Sequence, residues 1–147
     1  MSAAERDRRA WLLLDTHTLL WMVESHPRLG AETAKLLNRA AREDRIAVSA
    51  ITPWEIALLV SKKRIDLHQD LMEWVNAALS LSGVHLAPLE PQIVVASTRL
   101  PFEMHADPAD RILVATARYL GAMLVTADTA LLEVAKKGFF KVIDAAR

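Results

Sequence analysis

Four acidic residues carry the chemistry open to this sequence: Asp15, Glu55, Asp110 and Asp128. Asp15 ends the apolar run 11–14, and Asp128 follows the apolar run 122–125 by a short turn. Glu55 and Asp110 each fall in the first turn of an expected helix. Brought together, such groups cannot all stay ionised unaided. Two carboxylates ~5 Å apart at an effective dielectric of ~20 repel by roughly 3 kcal/mol. A helix N-terminus returns only ~0.3–1 kcal/mol at an exposed site. No Lys or Arg lies within two residues of Asp15, Glu55 or Asp128, although Arg111 follows Asp110. A divalent cation is the natural neutraliser, and oxygen-only ligands favour Mg²⁺ or Mn²⁺ over zinc. Such an ion activates water and holds a phosphate for in-line displacement.

The elements that must position these acids alternate along the chain. Apolar runs without polar interruption at 11–14, 46–48, 84–86, 122–125 and 141–143 read as short strands, several of them buried on both faces. Helical spacing or helix punctuation marks 19–23, 31–41, 52–60, 70–81, 91–100, 107–119 and 130–137. In the third of these, Thr52 reads as N-cap, Pro53 as first helical residue and Glu55 as capping-box partner. Asp107 caps the helix that Pro108 opens, and Gly121 follows its end. The pattern predicts an α/β fold, a three-layer α/β/α arrangement around a mostly parallel sheet. Residues 1–10 read as a flexible polar lead-in and 11–147 as one domain. Ligands of open α/β sheets bind outside the carboxyl ends of the strands. Asp15 and Asp128 fall on that edge, and the helix starts with Glu55, Asp107 and Asp110 face it.

Each acid also has a purely structural reading. Asp107 reads first as a cap. Asp110 could serve the helix dipole, Asp128 could cap the helix after it, and Glu55 could be only the partner of Thr52. Asp15 has the least local reason for its place, directly after four apolar residues. Taken jointly, these readings must still explain why all four acids fall on one edge.

Composition narrows the rest. Eighteen basic side chains balance eighteen acidic ones, so net charge speaks neither for nor against nucleic acid. The absence of cysteine excludes disulfides, thiolate zinc sites and a cysteine nucleophile. No secretory signal or membrane-length apolar stretch is visible, which leads us to expect a cytoplasmic protein with no membrane association. His17 and His105 flank the acidic segments and could transfer protons, but they read rather as rim residues or as supports of the acids. Trp21, Trp54 and Trp74 could stack bases, but their helical spacing among apolar neighbours favours core or interface. The basic run Lys62, Lys63 and Arg64 reads as a solvated helix end or an RNA backbone contact, the former favoured.

Four segments carry a resemblance: LLLDTHTLLW at 12–21, SAITPWEI at 49–56, HADPADRILVATA at 105–117 and LVTAD at 124–128. In order and spacing they resemble the PIN-domain family, and specifically its toxin ribonucleases of the VapC type. The resemblance runs over nearly the whole chain from Trp11 onward. It implies that Asp15, Glu55, Asp110 and Asp128 are the metal-holding catalytic acids, and all four family positions are acidic here. It implies Thr126 as a hydroxyl ordering the metal shell and Asp107 as an outer acid. It further implies hydrolysis of RNA, transfer RNA among the substrates, by water activated by Mg²⁺ or Mn²⁺. A small antitoxin and a homodimer are implied as well, with Trp54 and Met72 as possible contributors to such surfaces.

Two other classes compete. One is a non-catalytic RNA- or protein-binding module of the same fold, which has no need to keep four like charges together. The other is a phospho-acceptor signalling domain. That requires a lysine after a late strand, and none appears between Val125 and Lys136. A dinucleotide site is weaker still, because the first strand leads into DTHT rather than a glycine-rich turn.

Overall fold

The computed structural model describes residues 1–147. Five strands, β1 (Leu12–Leu14), β2 (Ile46–Ser49), β3 (Val84–Ala87), β4 (Met123–Thr126) and β5 (Lys141–Asp144), form one sheet in the order β3-β2-β1-β4-β5. Every pairing is parallel, so the sheet is wholly rather than mostly so. The first half of the chain therefore winds outward from β1 in one direction and the second half in the other. Right-handed crossovers then place the two sets of helices on opposite faces.

Side-chain alternation along β1 shows the two layers. Leu12 and Leu14 join a core with Leu19 and Trp21 of α2 (Thr16–Glu24), Leu37 of α3 (Ala31–Arg42), Ile56 of α4 (Thr52–Ser61) and Trp74 of α5 (Leu71–Leu79). Leu13 joins a second core with Leu113 and Val114 of α7 (Pro108–Leu120) and Leu131 of α8 (Thr129–Ala135). Helix α6 (Pro91–Ser97) packs on α7. The fold is the expected three-layer α/β/α arrangement. β3 and β5 are the sheet edges, and β3 accordingly leaves His85 and Leu86 exposed instead of burying both faces.

Several boundaries depart from the sequence reading for physical reasons. The polar lead-in contains a helix, α1 (Ala3–Arg9), because Ser2 caps it and Glu5 and its terminal arginines suit the helix dipole. None of its residues is buried, and its Asp7 pairs with Lys141. Helix α2 starts at Thr16, three residues earlier than predicted, because Asp15 is its N-cap. The Thr52 capping box does not form. Ser49 Oγ accepts from the Ile51 N–H, Ile51 is already helical, and the Thr52 hydroxyl is buried without a partner.

Helices α4 and α2, like α3 at Asp44, close with the same device. At the end of α4 the Lys63 N–H donates to Val60 and the Arg64 N–H to Leu59, with Lys63 at φ 58°. At the end of α2 the Ser25 N–H donates to Met22 and the His26 N–H to Trp21, with Ser25 at φ 50°. These paired bonds define Schellman motifs built without glycine. They fix the direction in which the chain leaves each helix. The segment after α2 is then pinned to the far end of the chain. Gly30 donates to the Ala145 carbonyl, and a side chain on Gly30 would meet the Arg147 carbonyl oxygen at 2.0 Å.

Candidate metal and phosphate site

Outside the carboxyl ends of β1 and β4, where the winding reverses, lies a cleft of about 480 Å³. This is the crevice where open α/β sheets bind ligands. Asp15, Glu55, Asp107, Asp110 and Asp128 line it, with Thr16, His17, Trp21, Arg28 and Arg64. The four acids singled out from the sequence are thus brought together from four separate elements, and Asp107 joins them.

Local folding fixes each carboxylate. Asp15 caps α2, its Oδ1 accepting from the Thr18 N–H at 2.8 Å. The residue that had the least local reason for its position therefore has one. Its Oδ2 accepts from the Thr126 hydroxyl, which in turn accepts from the Asp128 N–H at 3.0 Å. Thr126 is fully buried and ties the acid of β1 to the acid after β4. Asp128 caps α8 through Oδ1, and Asp107 caps α7 through Oδ1, receiving the Asp110 N–H. Asp110 accepts from His105 Nε2 at 2.7 Å, so His105 backs an acid, one of the two places expected for it. Glu55 accepts from the Thr16 hydroxyl at 2.7 Å. Capping is therefore real for Asp15, Asp107 and Asp128, and each Oδ1 so used leaves Oδ2 turned to other work.

Crowding has its expected electrostatic result. Burial pushes the Glu55 carboxyl up to about 7; the Thr16 hydrogen bond opposes this, and Asp110, Asp107 and Asp15 add to it. Burial likewise raises Asp110, against the pull of the His105 hydrogen bond and with the push of Asp107 and Asp128. Arg111 gives no relief. Its guanidinium turns away to the Ser97 and Met104 carbonyls.

The donor set fits a hard divalent cation. Every carboxylate that lines the cleft offers oxygen, and a cation would reverse the push of Glu55 and Asp110 toward the neutral form. No three of the acidic or histidine side chains are close enough together to hold one ion as they stand.

The PIN-domain sequence model matches residues 12–137. The chain belongs to the PIN-domain family. A relative, Ribonuclease VapC22 of Mycobacterium tuberculosis, is 32% identical over 120 residues, covering 82% of this chain and 88% of its own. Among solved structures the PIN fold recurs in VapBC2 from Rickettsia felis bound to a promoter DNA fragment. There the TM-score is 0.67 at 18% identity, over 90% of this chain and 96% of that one. FitAcB from Neisseria gonorrhoeae gives a TM-score of 0.63 at 20% identity, over 91% and 97% of the two chains. This PIN-domain chain is thus a homologue of a VapC ribonuclease.

Sequence reasoning missed Thr16 and Arg28, and it left the place of Arg64 open. Thr16 had a signal, a hydroxyl directly after a strand-end acid. Arg64 sits in the basic run, exposed at a helix end, and its side chain also lines the cleft. Arg28 had no signal, because nothing local to the 27–30 turn points at the site. Of the tryptophans, Trp21 and Trp74 are buried as expected, whereas Trp54 and Met72 are more than half exposed. No helix is long and apolar enough to cross a membrane.

The Thr126 link yields a test. Thr126→Val leaves the part-buried Asp128 N–H and the buried Asp15 carboxylate each short of a partner. It is expected to destabilise the fold by ~1–3 kcal/mol in urea unfolding. An unchanged midpoint would show that the link carries no stability.

Proposed function

We propose that this chain is a metal-dependent endoribonuclease, the toxin of a toxin–antitoxin pair, that hydrolyses RNA phosphodiester bonds. The observation that carries this reading is the gathering of Asp15, Glu55, Asp110 and Asp128 from four elements into one cleft. Kinship with Ribonuclease VapC22 supports the reaction class, and the fold shared with VapBC complexes supports a protein antitoxin. In this reading the four acids hold Mg²⁺ or Mn²⁺. Thr126 keeps Asp15 and Asp128 in register, Thr16 orients Glu55, His105 orients Asp110, and Asp107 stands further out. When bound, the ion supplies Lewis-acid activation of water and neutralises charge on the phosphate. Activated water needs no protein nucleophile, and the chain has no cysteine to offer one. Structured RNA such as transfer RNA is the proposed substrate, with action in the cytoplasm as a homodimer.

The test is cleavage of total cellular RNA by the purified chain, with Mg²⁺ or Mn²⁺ and with chelator, and Asp15→Asn alongside. Fragments are expected only from the parent chain with metal. Asparagine still caps a helix, so the variant keeps α2 while losing the charge. Folded, metal-supplied protein that leaves RNA intact would overturn the nuclease in favour of a binding module.

A further inference from the structure

Two guanidinium groups in the cleft have no ionic partner. Arg28 and Arg64 line the same concavity as five carboxylates, yet neither forms an ion pair with any of them. In so acidic a space an arginine free to move would be expected to fold onto a carboxylate. Arg28 is held back by an aromatic contact, and Arg64 stands exposed at the rim. The Arg28 guanidinium lies over the Trp21 ring, 4.9 Å from its centroid, and the Arg28 backbone N–H donates to His26 Nδ1 at 3.1 Å. The His26 ring stacks on the same indole at 6.0 Å. The indole face thus carries the guanidinium, whose donors make no hydrogen bond or ion pair within the chain and so are left for bidentate binding of phosphate. Arg64 is the residue at which the α4 Schellman motif ends, its N–H fixed to the Leu59 carbonyl. The two arise from different loops, after α2 and after α4.

A polyanion needs such groups here. One divalent ion on five ionised carboxylates still leaves the cleft floor negative, which repels an incoming phosphodiester backbone. Resting on the nuclease reading above, the geometry points to Arg28 and Arg64 as a two-armed clamp for substrate phosphates, gripping the single-stranded RNA backbone across the acid cluster. The clamp reads charge and shape of the backbone and carries no base information. Arg28 is the rigid arm, set by its aromatic shelf.

The test uses Arg28→Gln, Arg64→Gln and the double variant, with Arg42→Gln as control. Arg42 is exposed, lies on the last turn of α3 and does not line the cleft. Thermal melts establish that each variant is folded, and KM for a labelled single-stranded RNA is measured over a series of salt concentrations. A lost phosphate contact on a single strand lowers the slope of log affinity against log salt by about 0.7. Each cleft variant is expected to show that loss together with a KM raised roughly tenfold, and the double variant a loss of about 1.4. The kcat should change far less than KM, and Arg42→Gln should behave as the parent. An unchanged salt slope in the folded double variant overturns the clamp, even where cleavage falls, because a damaged acid cluster alters kcat without altering ion release. If the parent chain itself neither binds nor cleaves RNA, the nuclease reading falls first and the clamp with it.

Discussion

Glu55→Gln and Asp110→Asn are each expected to slow RNA cleavage by at least about 100-fold and, without divalent ions, to melt higher than the parent chain. The second effect separates a functional acid from a structural one. Gln still accepts the Thr16 hydroxyl that Glu55 accepts at 2.7 Å, and Asn still offers an acceptor to His105 Nε2. Shape and hydrogen bonds are kept, while a charge that burial and its neighbours oppose is removed. In a chain of this size each kcal/mol regained is worth about 2–4 °C. Melting in chelator at pH 8 checks stability, and fragment analysis checks activity. A variant that is inactive and also less stable would mark its acid as part of the scaffold. A variant that remains fully active would remove that acid from the proposed metal set.

The second large effect is a metal response that depends on pH. Glu55 titrates near 7 in the folded chain against an ordinary value of 4.5. Between those values the folded chain binds more protons than the unfolded one, so its stability falls as pH rises through the window. Below the window the carboxyl is neutral in both states and costs nothing; above it the full penalty is present. Asp110 is displaced in the same direction and adds to the slope. The metal-free chain should therefore lose melting temperature steadily from about pH 4.5 to about pH 7. Millimolar Mg²⁺ or Mn²⁺ should raise the midpoint at pH 8 and do little at pH 5, where protons occupy the carboxylates. A metal-free midpoint that rises across the same interval would contradict the reading of the site as a strained acid cluster. An equal metal effect at both values would place the ion elsewhere.

The sheet and its carboxyl edge were legible because their signals are local or strongly patterned. Runs such as LLL at β1 and the Asp107-Pro108 start of α7 announce themselves within a few residues. The four acids were legible because each follows such a signal. What escaped depends on contacts between distant segments. Whether Thr52 or Ser49 organises the start of α4 is decided by which hydroxyl reaches a free N–H in three dimensions. Asp15 looked unexplained because its cap depends on α2 starting at Thr16, where the sequence offers Thr-His-Thr and no apolar period. Arg28 entered the site only because the segment that follows it is bonded to Ala145, a partner no window of sequence contains. Arg64 is exposed at a helix end as favoured from the sequence, but that it also borders the cleft depends on how α4 is placed on the sheet.

The order of strands has a consequence for how the protein is made. β1 is the first strand synthesised, and one of its two neighbours, β4, does not begin until Met123. Thr126 and Asp128 come with it, and the bond from Thr126 to Asp15 spans 111 residues. A nascent chain that has left the ribosome only as far as α7 already carries Asp15, Glu55 and Asp110. It still lacks the strand that closes the cleft and the hydroxyl that aligns its first acid. The topology thus delays assembly of the acid cluster until the chain is nearly finished.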